Sequence, residues 1–336
     1  MSAPPPGDFE LETACRRVIQ GALGVVPGER VVIVVDVERH DLGLALEAAT
    51  RAAAATPILV PIESLGTRPL AGVPPALRVT LAGAQASVLL IDISRSPEHP
   101  LRRQFVDLVP ELRLRHAHLI GMTRRSLVSS MAADPARVAD ACRRARYKLR
   151  PTSRLAVRSS LGTQLSIQLS PSYRWKEFAG VIREGKWENL PSGLLIGHAT
   201  DISGTYVADA TIMGSLSGSE GPLGARPVTF TLDGGQVRAV KCADHGLTRW
   251  VERQLASEPY LDRVGAVLIG TNVGLTEPLG DVLHDQCLPG VHLVFGYSHP
   301  EDTGAQFTAR GIVTATSAAH DVDLDGAPLV RSGRLL

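Results

Sequence analysis

The first 150 residues alternate short apolar runs with longer amphipathic stretches, and this alternation is the feature that most limits the fold. Four apolar runs predict strands because Val, Ile and Leu dominate them without polar alternation, as in strands buried on both faces of a parallel sheet. These runs are Val31–Asp36, Thr56–Ile62, Ala86–Asp92 and His116–Met122. Amphipathic stretches lie at about 11–25, 41–55, 74–83, 99–112 and 123–149. The pattern predicts βαβ units that form an α/β layer, a parallel sheet with flanking helices.

From Pro151 onward the periodicity changes to alternating strands joined by tight turns. Sequences typical of hairpin turns occur at Leu161-Gly162-Thr163, Asp233-Gly234-Gly235 and Asp325-Gly326. The second half is therefore predicted to be a mixed, β-rich C-terminal domain. We expect a mobile lead over residues 1–8, an α/β domain over 9–150 and the β-rich domain, with an active-site cleft, over 151–336.

The composition excludes several classes of protein. Of the 336 residues, 35 are Lys or Arg and 34 are Asp or Glu, so the net charge of +1 gives no field that would collect nucleic acid or an anionic membrane. The sequence has no 18-residue apolar run and no secretory signal pattern, and its four cysteines are far apart. We expect a reduced, cytoplasmic protein that binds neither nucleic acid nor a membrane.

Three stretches of the second half place unusual polar residues beside apolar strands. They span residues 185–209, 263–278 and 282–304, and they include His198 and His292. Taken singly, each histidine is more often a hydrogen-bonded structural residue, but three such stretches in one domain favour convergence on a cleft. Neither GxGxxG nor GxxxxGK[ST] occurs in the sequence, so the α/β layer does not by itself indicate a nucleotide.

The order and spacing of several fragments carry a resemblance to a known family. The fragments are VVPGERVVIVVD, GMTRRSL, SSLGTQL, NLPSGLLIGHATDISGTYVAD, IGTN, PGVHLVFG and VDLDGAPLVRSGRLL. In this order the chain resembles the aminopeptidase T family of metallo-aminopeptidases over nearly its whole length. It most resembles the branch of that family that contains 2,5-dihydroxypyridine 5,6-dioxygenase. The resemblance implies the two-domain α/β and β-rich architecture and a homodimer.

The resemblance also implies where metal ligands would lie, and the first of these positions are apolar. The metal-binding Glu of the aminopeptidases falls at Leu194, where the dioxygenase branch also has an apolar residue, so Leu194 favours that branch. The dioxygenase branch would place an iron-binding His at Leu268. The aminopeptidase Glu of the same strand falls at Ala266 or a neighbour.

The later ligand positions implied by the resemblance are mostly replaced as well. An Asp-Glu pair of the peptidases falls near His284-Asp285-Gln286, which keeps at most one carboxylate, and the following His is kept as His292. The His-x-Asp expected before the terminal Asp-Gly is replaced by Ile312 and Thr314. One imidazole cannot hold a catalytic divalent ion, so neither inherited metal centre is expected to survive.

These observations favour a metal-independent enzyme of small-molecule metabolism, such as a biosynthetic pathway, that needs no cofactor. Its substrate would be amino-acid-like or N-heterocyclic, and the chemistry would be side-chain acid–base or nucleophilic catalysis. His292 is the candidate general acid or base, because an imidazole exchanges protons near neutral pH. The candidate partners or orienting residues are His198, Asp201, Asp285 and His299.

Two alternatives stay open at this point. One is a metal-dependent enzyme, an aminopeptidase-like hydrolase or a ring-cleaving non-haem iron dioxygenase, with a displaced site built from residues such as His198, Asp285, His292 or His299. The other is a non-catalytic protein that binds a ligand or a partner subunit. Metal analysis separates the first alternative from the metal-independent enzyme, and a turnover screen separates the second from both.

Overall fold

The computed structural model describes residues 7–92, 98–199, 201–214 and 218–336. Of the predicted mobile lead, residues 1–6 lie outside this description, and Asp8 already begins the first helix. The chain divides into two compact units, the first made of residues 1–139 and 180–192, the second of residues 140–179 and 193–336. The division into an α/β domain over residues 9–150 and a β-rich domain over residues 151–336 stays a prediction.

Helices and strands follow one another along the chain with bounds close to the predicted ones in the first half. The helices are α1 (Asp8–Arg16), α2 (His40–Ala52), α3 (Pro75–Ala82), α4 (His99–Glu111), α5 (Arg124–Ser130), α6 (Pro135–Lys148), α7 (His245–Leu255), α8 (Val282–Asp285) and α9 (Pro300–Thr303). The first strands are β1 (Arg30–Val35), β2 (Thr56–Pro61), β3 (Ala86–Leu90), β4 (Arg115–His118), β5 (Arg154–Arg158), β6 (Gln164–Gln168), β7 (Lys176–Phe178), β8 (Lys186–Asn189), β9 (Leu194–Gly197) and β10 (Asp201–Ala208). The remaining strands are β11 (Ile212–Gly214), β12 (Gly218–Glu220), β13 (Val228–Asp233), β14 (Gln236–Lys241), β15 (Val264–Gly270), β16 (Gly290–Gly296), β17 (Ile312–Ala315), β18 (Asp321–Leu324), β19 (Ala327–Arg331) and β20 (Arg334–Leu335).

A five-stranded parallel sheet forms the centre of the first unit, with the strand order β2-β1-β3-β4-β8. Strands β1 and β3 are buried on both faces, which explains why their sequences are almost continuously apolar rather than alternating. The third inner strand, β4, is also buried but carries His116 and His118. Strand β8 comes from residues 186–189, which the sequence analysis placed in the C-terminal half. The predicted α/β layer with a parallel sheet and flanking helices is confirmed.

Two antiparallel sheets make up most of the second unit. The eight-stranded sheet has the order β14-β13-β10-β6-β5-β18-β19-β20, and the seven-stranded sheet has the order β12-β11-β17-β16-β15-β9-β7. Apolar side chains of both sheets share one core, in which Tyr206 and Phe230 of the first sheet meet Phe295 of the second. The predicted β-rich C-terminal region is therefore confirmed.

All three predicted hairpin turns occur in the eight-stranded sheet. They join β5 to β6, β13 to β14 and β18 to β19. Gly234 and Gly235 both have positive φ, +55° and +77°, the conformation that the two central residues of a tight hairpin turn require. No helix among the described residues is long and apolar enough to cross a membrane.

Candidate functional site

The two faces of the seven-stranded sheet differ in what covers them. Alternate residues of β9, β15 and β16 enter the core that this sheet shares with the eight-stranded sheet. The residues that alternate with these point to the opposite side of the sheet, which we call the outer face, and form a second, smaller apolar cluster there. Its members are Leu194, Ile196, Ala266, Leu268 and Val294 from the strands, with Leu275, Cys287 and Leu288 packed on them. His292 pairs with Leu268 across the strands and so lies on this face.

Both ring nitrogens of His292 are held by main-chain groups. The Nε2–H donates to the carbonyl of Leu288 at 2.9 Å, and the N–H of Ser317 donates to Nδ1 at 3.2 Å. The side chain is fully buried, and this burial lowers the pKa of His292 to about 4. The ring is therefore neutral, in one tautomer, and has no free nitrogen. This arrangement fits a structural role, and the catalytic role of His292 stays a prediction.

Asp285 lies near His292 and is also bound to its surroundings. Its carboxylate accepts hydrogen bonds from the hydroxyl of Thr211 at 2.5 Å and from the N–H groups of Leu279 and Gly280 at 2.8 and 3.1 Å. Burial raises the pKa of Asp285, and the nearby carboxylate of Asp209 raises it further. Asp285 therefore anchors the loop before α8, and any proton transfer by this group would have to break those contacts.

Asp209 is a half-buried carboxylate that is not among the site residues predicted from the sequence. Its Oδ1 accepts a hydrogen bond from the N–H of Ala318 at 2.9 Å. It acts electrostatically on both His292 and Asp285, which places the three residues in one region. His320 belongs to the same region, and burial followed by the neighbouring His292 lowers its pKa to about 3. Asp209 ends the first of the three polar stretches, residues 185–209, and follows strand β10 directly. This position at the end of an apolar strand is the sequence feature that could have indicated a site residue.

His198 differs from His292 because only one of its two ring nitrogens has a hydrogen-bond partner among the described residues. It follows β9 directly, and its Nδ1–H donates to the carbonyl of Gly265 at 2.6 Å. Its Nε2 is buried and has no hydrogen-bond partner among the described residues. Burial lowers the pKa of His198, partly offset by the bond to Gly265, so the ring is neutral. A neutral imidazole with Nδ1–H fixed on a carbonyl presents a free lone pair at Nε2.

Aromatic rings surround His198. The ring of Tyr173 contacts it edge-on at 4.5 Å between centroids, and that of Phe307 at 5.5 Å. These two residues lie 134 positions apart, one before β7 and one after α9, so no local sequence pattern indicates that they meet at His198. The rings make the surroundings of the His198 imidazole apolar.

His299 borders the same neighbourhood. Its ring contacts that of Tyr297 at 4.6 Å, and the N–H of Arg174, the residue after Tyr173, donates to the carbonyl of Thr303 at 2.9 Å. His299 has the positive φ of +50° at the start of α9, and burial lowers its pKa. Nitrogen and carboxylate oxygens of His299, Glu301 and Asp302 lie within 4.8 Å of one another.

The predicted site residues thus form two groups rather than one. His198 and His299 lie where β9 ends and β15 begins, whereas His292 and Asp285 lie toward the other end of β15, beside the start of β16. Asp201 is exposed at the first position of β10 and pairs with Gln168 of the eight-stranded sheet. Asp201 therefore lies on a different sheet from the four other candidates. None of these placements tests catalysis, so the roles stay predictions.

The metal centre implied by the resemblance does not fit the residues present. Leu194 and Leu268 are buried in the outer face, with Ile312 packed against them, and Thr314 offers only a buried hydroxyl. His292 has no lone pair free, because Nδ1 already accepts a hydrogen bond. The only group of three His, Cys, Asp or Glu side chains with metal-ligand spacing in the described part of the chain is His299, Glu301 and Asp302.

That group is already occupied by other contacts. Lys176 Nζ lies 2.5 Å from Asp302 Oδ1, and the hydroxyl of Tyr297 donates to Glu301 Oε1 at 2.9 Å. A cation bound there would have to displace the ammonium group of Lys176. The group could hold a metal by its donor types, but a positive charge already lies within it.

Comparisons with known proteins identify the fold. No family model matches the chain, and no curated protein sequence matches it. The structure is similar to that of 2,5-dihydroxypyridine dioxygenase from Pseudomonas putida KT2440, with a TM-score of 0.64 and 16% identity over 99% of this chain and 98% of that one. It is also similar to wild-type AmpT from Thermus thermophilus, with a TM-score of 0.65 and 17% identity over 98% of this chain and 99% of that one. The chain therefore shares its fold with an aminopeptidase T and with this dioxygenase.

Proposed function

We propose that the protein is an enzyme of small-molecule metabolism in which His198 accepts a proton from the substrate without help from a metal ion. The observation that carries this proposal is the hydrogen bonding of His198, whose Nδ1–H is fixed on Gly265 while Nε2 is buried and free. A general base needs a held tautomer and a lone pair that no protein group occupies, and His198 has both among the described residues. Among the predicted histidines, His292 has neither nitrogen available.

The surroundings of His198 support the substrate class. The rings of Tyr173 and Phe307 suit a planar N-heterocycle or an apolar amino-acid side chain. The carboxylates of Glu301 and Asp302 and the ammonium of Lys176 offer charges for the amino and carboxylate groups of an amino-acid-like molecule. In this reaction His198 takes the proton at Nε2, and the carbonyl of Gly265 stabilises the imidazolium that forms.

The apolar residues at the expected ligand positions support a reaction that uses no metal ion. The ligand positions implied by the resemblance hold Leu194, Leu268 and Ile312, which pack on one another in the outer face. Alkyl groups offer no lone pair, and a divalent ion needs at least three protein ligands in a catalytic site. The shared fold with an aminopeptidase T and a dioxygenase is therefore retained while the chemistry is carried by side chains.

A substrate screen with two matched variants tests the proposal. The wild-type protein is assayed on amino-acid amides and hydroxylated or carboxylated pyridines, and any turnover is then compared in His198→Asn and His245→Asn. Asn keeps an N–H that can reach the carbonyl of Gly265 but lacks the Nε2 lone pair, and His245 is exposed at the start of α7. We expect turnover to fall about 10²- to 10⁴-fold in His198→Asn and to stay unchanged in His245→Asn.

One observation favours a second candidate function. The spacing of His299, Glu301 and Asp302 allows a displaced metal site in a hydrolase or a dioxygenase. Elemental analysis of the purified protein decides between the two proposals. Close to one metal per chain, with turnover lost on chelation and in Asp302→Asn, would favour the metal enzyme and contradict the metal-free proposal. An absence of turnover on every substrate, with a saturable binding signal for one of them, would favour a non-catalytic binding protein.

A further inference from the structure

A buried polar cluster lies in the first unit, between the parallel sheet and α4. His116 and His118 of β4 point to the same face of the sheet because they are two residues apart, and in register they pair with Trp187 and Asn189 of β8. The ring of His118 contacts those of His116 at 4.7 Å and Trp187 at 5.1 Å. On the helix side, the ring of Phe105 stacks on His116 at 4.5 Å.

This cluster contains five buried polar atoms that have no hydrogen-bond partner among the described residues. They are His116 Nε2, His118 Nδ1 and Nε2, Asn189 Oδ1 and Arg102 Nε. The remaining nitrogen of His116, Nδ1, bonds to the hydroxyl of Ser87 at 2.7 Å. Native proteins leave few buried polar groups unsatisfied, so five in one place indicate that a further molecule supplies the missing contacts.

The charge of the cluster indicates which kind of molecule could supply the missing contacts. Burial lowers the pKa of His116 to about 3. Burial, together with the neighbouring His116 and Arg102, lowers the pKa of His118 well below its usual value, so both rings are neutral near pH 7. Burial lowers the pKa of Arg102. An arginine guanidinium nevertheless keeps its charge in proteins. No carboxylate pairs with Arg102 within the described ranges. A partly buried guanidinium without a counter-charge is unfavourable unless an anion joins it.

We propose that Arg102, His116, His118 and Asn189 form a binding site for a small oxyanion, either a carboxylate or a phosphate group. Arg102 Nε–H donates to one oxygen, and an N–H of each neutral imidazole donates to the others. Asn189 Oδ1 accepts from a hydroxyl carried by the same ligand. The site lies in the first unit and is independent of the chemistry proposed for His198.

Two other occupants explain the cluster less well. Ordered water can complete the hydrogen bonds of the imidazoles and the amide, but it leaves the charge of Arg102 unpaired. A divalent metal could use His116 and His118, yet it would bring a second positive charge beside the guanidinium. In addition, these two histidines have no third His, Cys, Asp or Glu at ligand distance in the part of the chain that the structure describes.

Thermal unfolding with two probes and two variants tests this inference. The unfolding midpoint is measured against the concentration of sodium acetate or sodium phosphate at pH 7.5, with ionic strength held constant by sodium chloride. The variants are Arg102→Met, which keeps the length of the side chain, and Arg103→Met, its exposed neighbour on the same helix. Imidazole ¹⁵N shifts of His116 and His118 are followed in parallel, and circular dichroism checks that each variant is folded.

The expected result is a saturable rise of the wild-type midpoint with one of the two probes, together with shifts of both imidazole signals. Arg102→Met should weaken the apparent affinity at least tenfold, whereas Arg103→Met should stay within twofold of wild type. The more effective probe identifies the carboxylate or the phosphate as the source. A midpoint that no probe raises, or an equal rise in both variants, would overturn the proposal and leave ordered water. A saturable response to zinc chloride that Arg102→Met does not weaken would also overturn it, in favour of a metal.

Discussion

Replacing His292 tests whether this residue supports the fold rather than the reaction. In His292→Ala the carbonyl of Leu288 and the N–H of Ser317 lose their partner inside a fully buried site. Each unsatisfied main-chain group costs about 1–3 kcal/mol. Truncating a large buried side chain to Ala adds a cavity cost of roughly 2–4 kcal/mol. Because the two effects overlap, we expect a loss of about 3–6 kcal/mol in the free energy of unfolding.

A second variant separates the two contributions. His292→Phe fills the space of the imidazole but cannot make either hydrogen bond, so its loss should be smaller, about 2–4 kcal/mol. The assay is denaturant unfolding at pH 7.5, followed by circular dichroism and by tryptophan fluorescence, with His245→Ala as the exposed control. A change below about 1 kcal/mol in His292→Ala, as for an ordinary surface substitution, would refute the structural role. If turnover were lost at the same time, the predicted acid–base role would gain support instead.

Four further results are expected. Because burial depresses the folded-state pKa of His292 to about 4 and of His320 to about 3, the stability they contribute is present above pH 6.5. It is lost as the pH falls toward 4, by roughly 1.4 kcal/mol per pH unit for each imidazole. The contribution of His292 is measured as the difference between wild type and His292→Phe in denaturant unfolding at each pH. Asp285→Asn should lose roughly 1–3 kcal/mol, since an amide N–H would face donors, and a stability equal to wild type would contradict this. Gly204→Ala should unfold or fail to accumulate, because its φ is +127° and a Cβ would overlap the carbonyl of Gln164, as expression and circular dichroism would show. Elemental analysis should find well below one metal per chain, and chelation should leave turnover unchanged.

The sequence predicts the fold where hydrophobic periodicity decides it. Strands β1 and β3 are apolar at nearly every position because both faces are covered, and their observed ends differ from the predicted ones by one or two residues. Strand β8 could not be predicted from its sequence. Its sequence, Lys186-Trp187-Glu188-Asn189, is polar because it is an edge strand, and nothing local indicates that it returns to the parallel sheet.

The sequence identifies histidines as candidate site residues, but it does not indicate which histidine has a ring nitrogen available for catalysis. His198 and His292 both follow or lie within apolar strands, and the sequence ranks His292 first because the resemblance keeps it. The difference between them depends on partners far along the chain. Gly265 is 67 residues from His198, and Ser317 is 25 residues from His292. Which ring nitrogen stays free is therefore a property of the folded chain.

Metal-free catalysis by His198 is tested most directly by the turnover of His198→Asn on a substrate that the wild-type protein converts, measured in protein shown to be metal-free. We expect a fall in kcat of about 10²- to 10⁴-fold with an unfolding midpoint close to that of wild type, because the bond to Gly265 is kept while the Nε2 lone pair is removed. Turnover that equals wild type, or that depends on added metal in both proteins, would contradict the claim that His198 carries the chemistry without a metal.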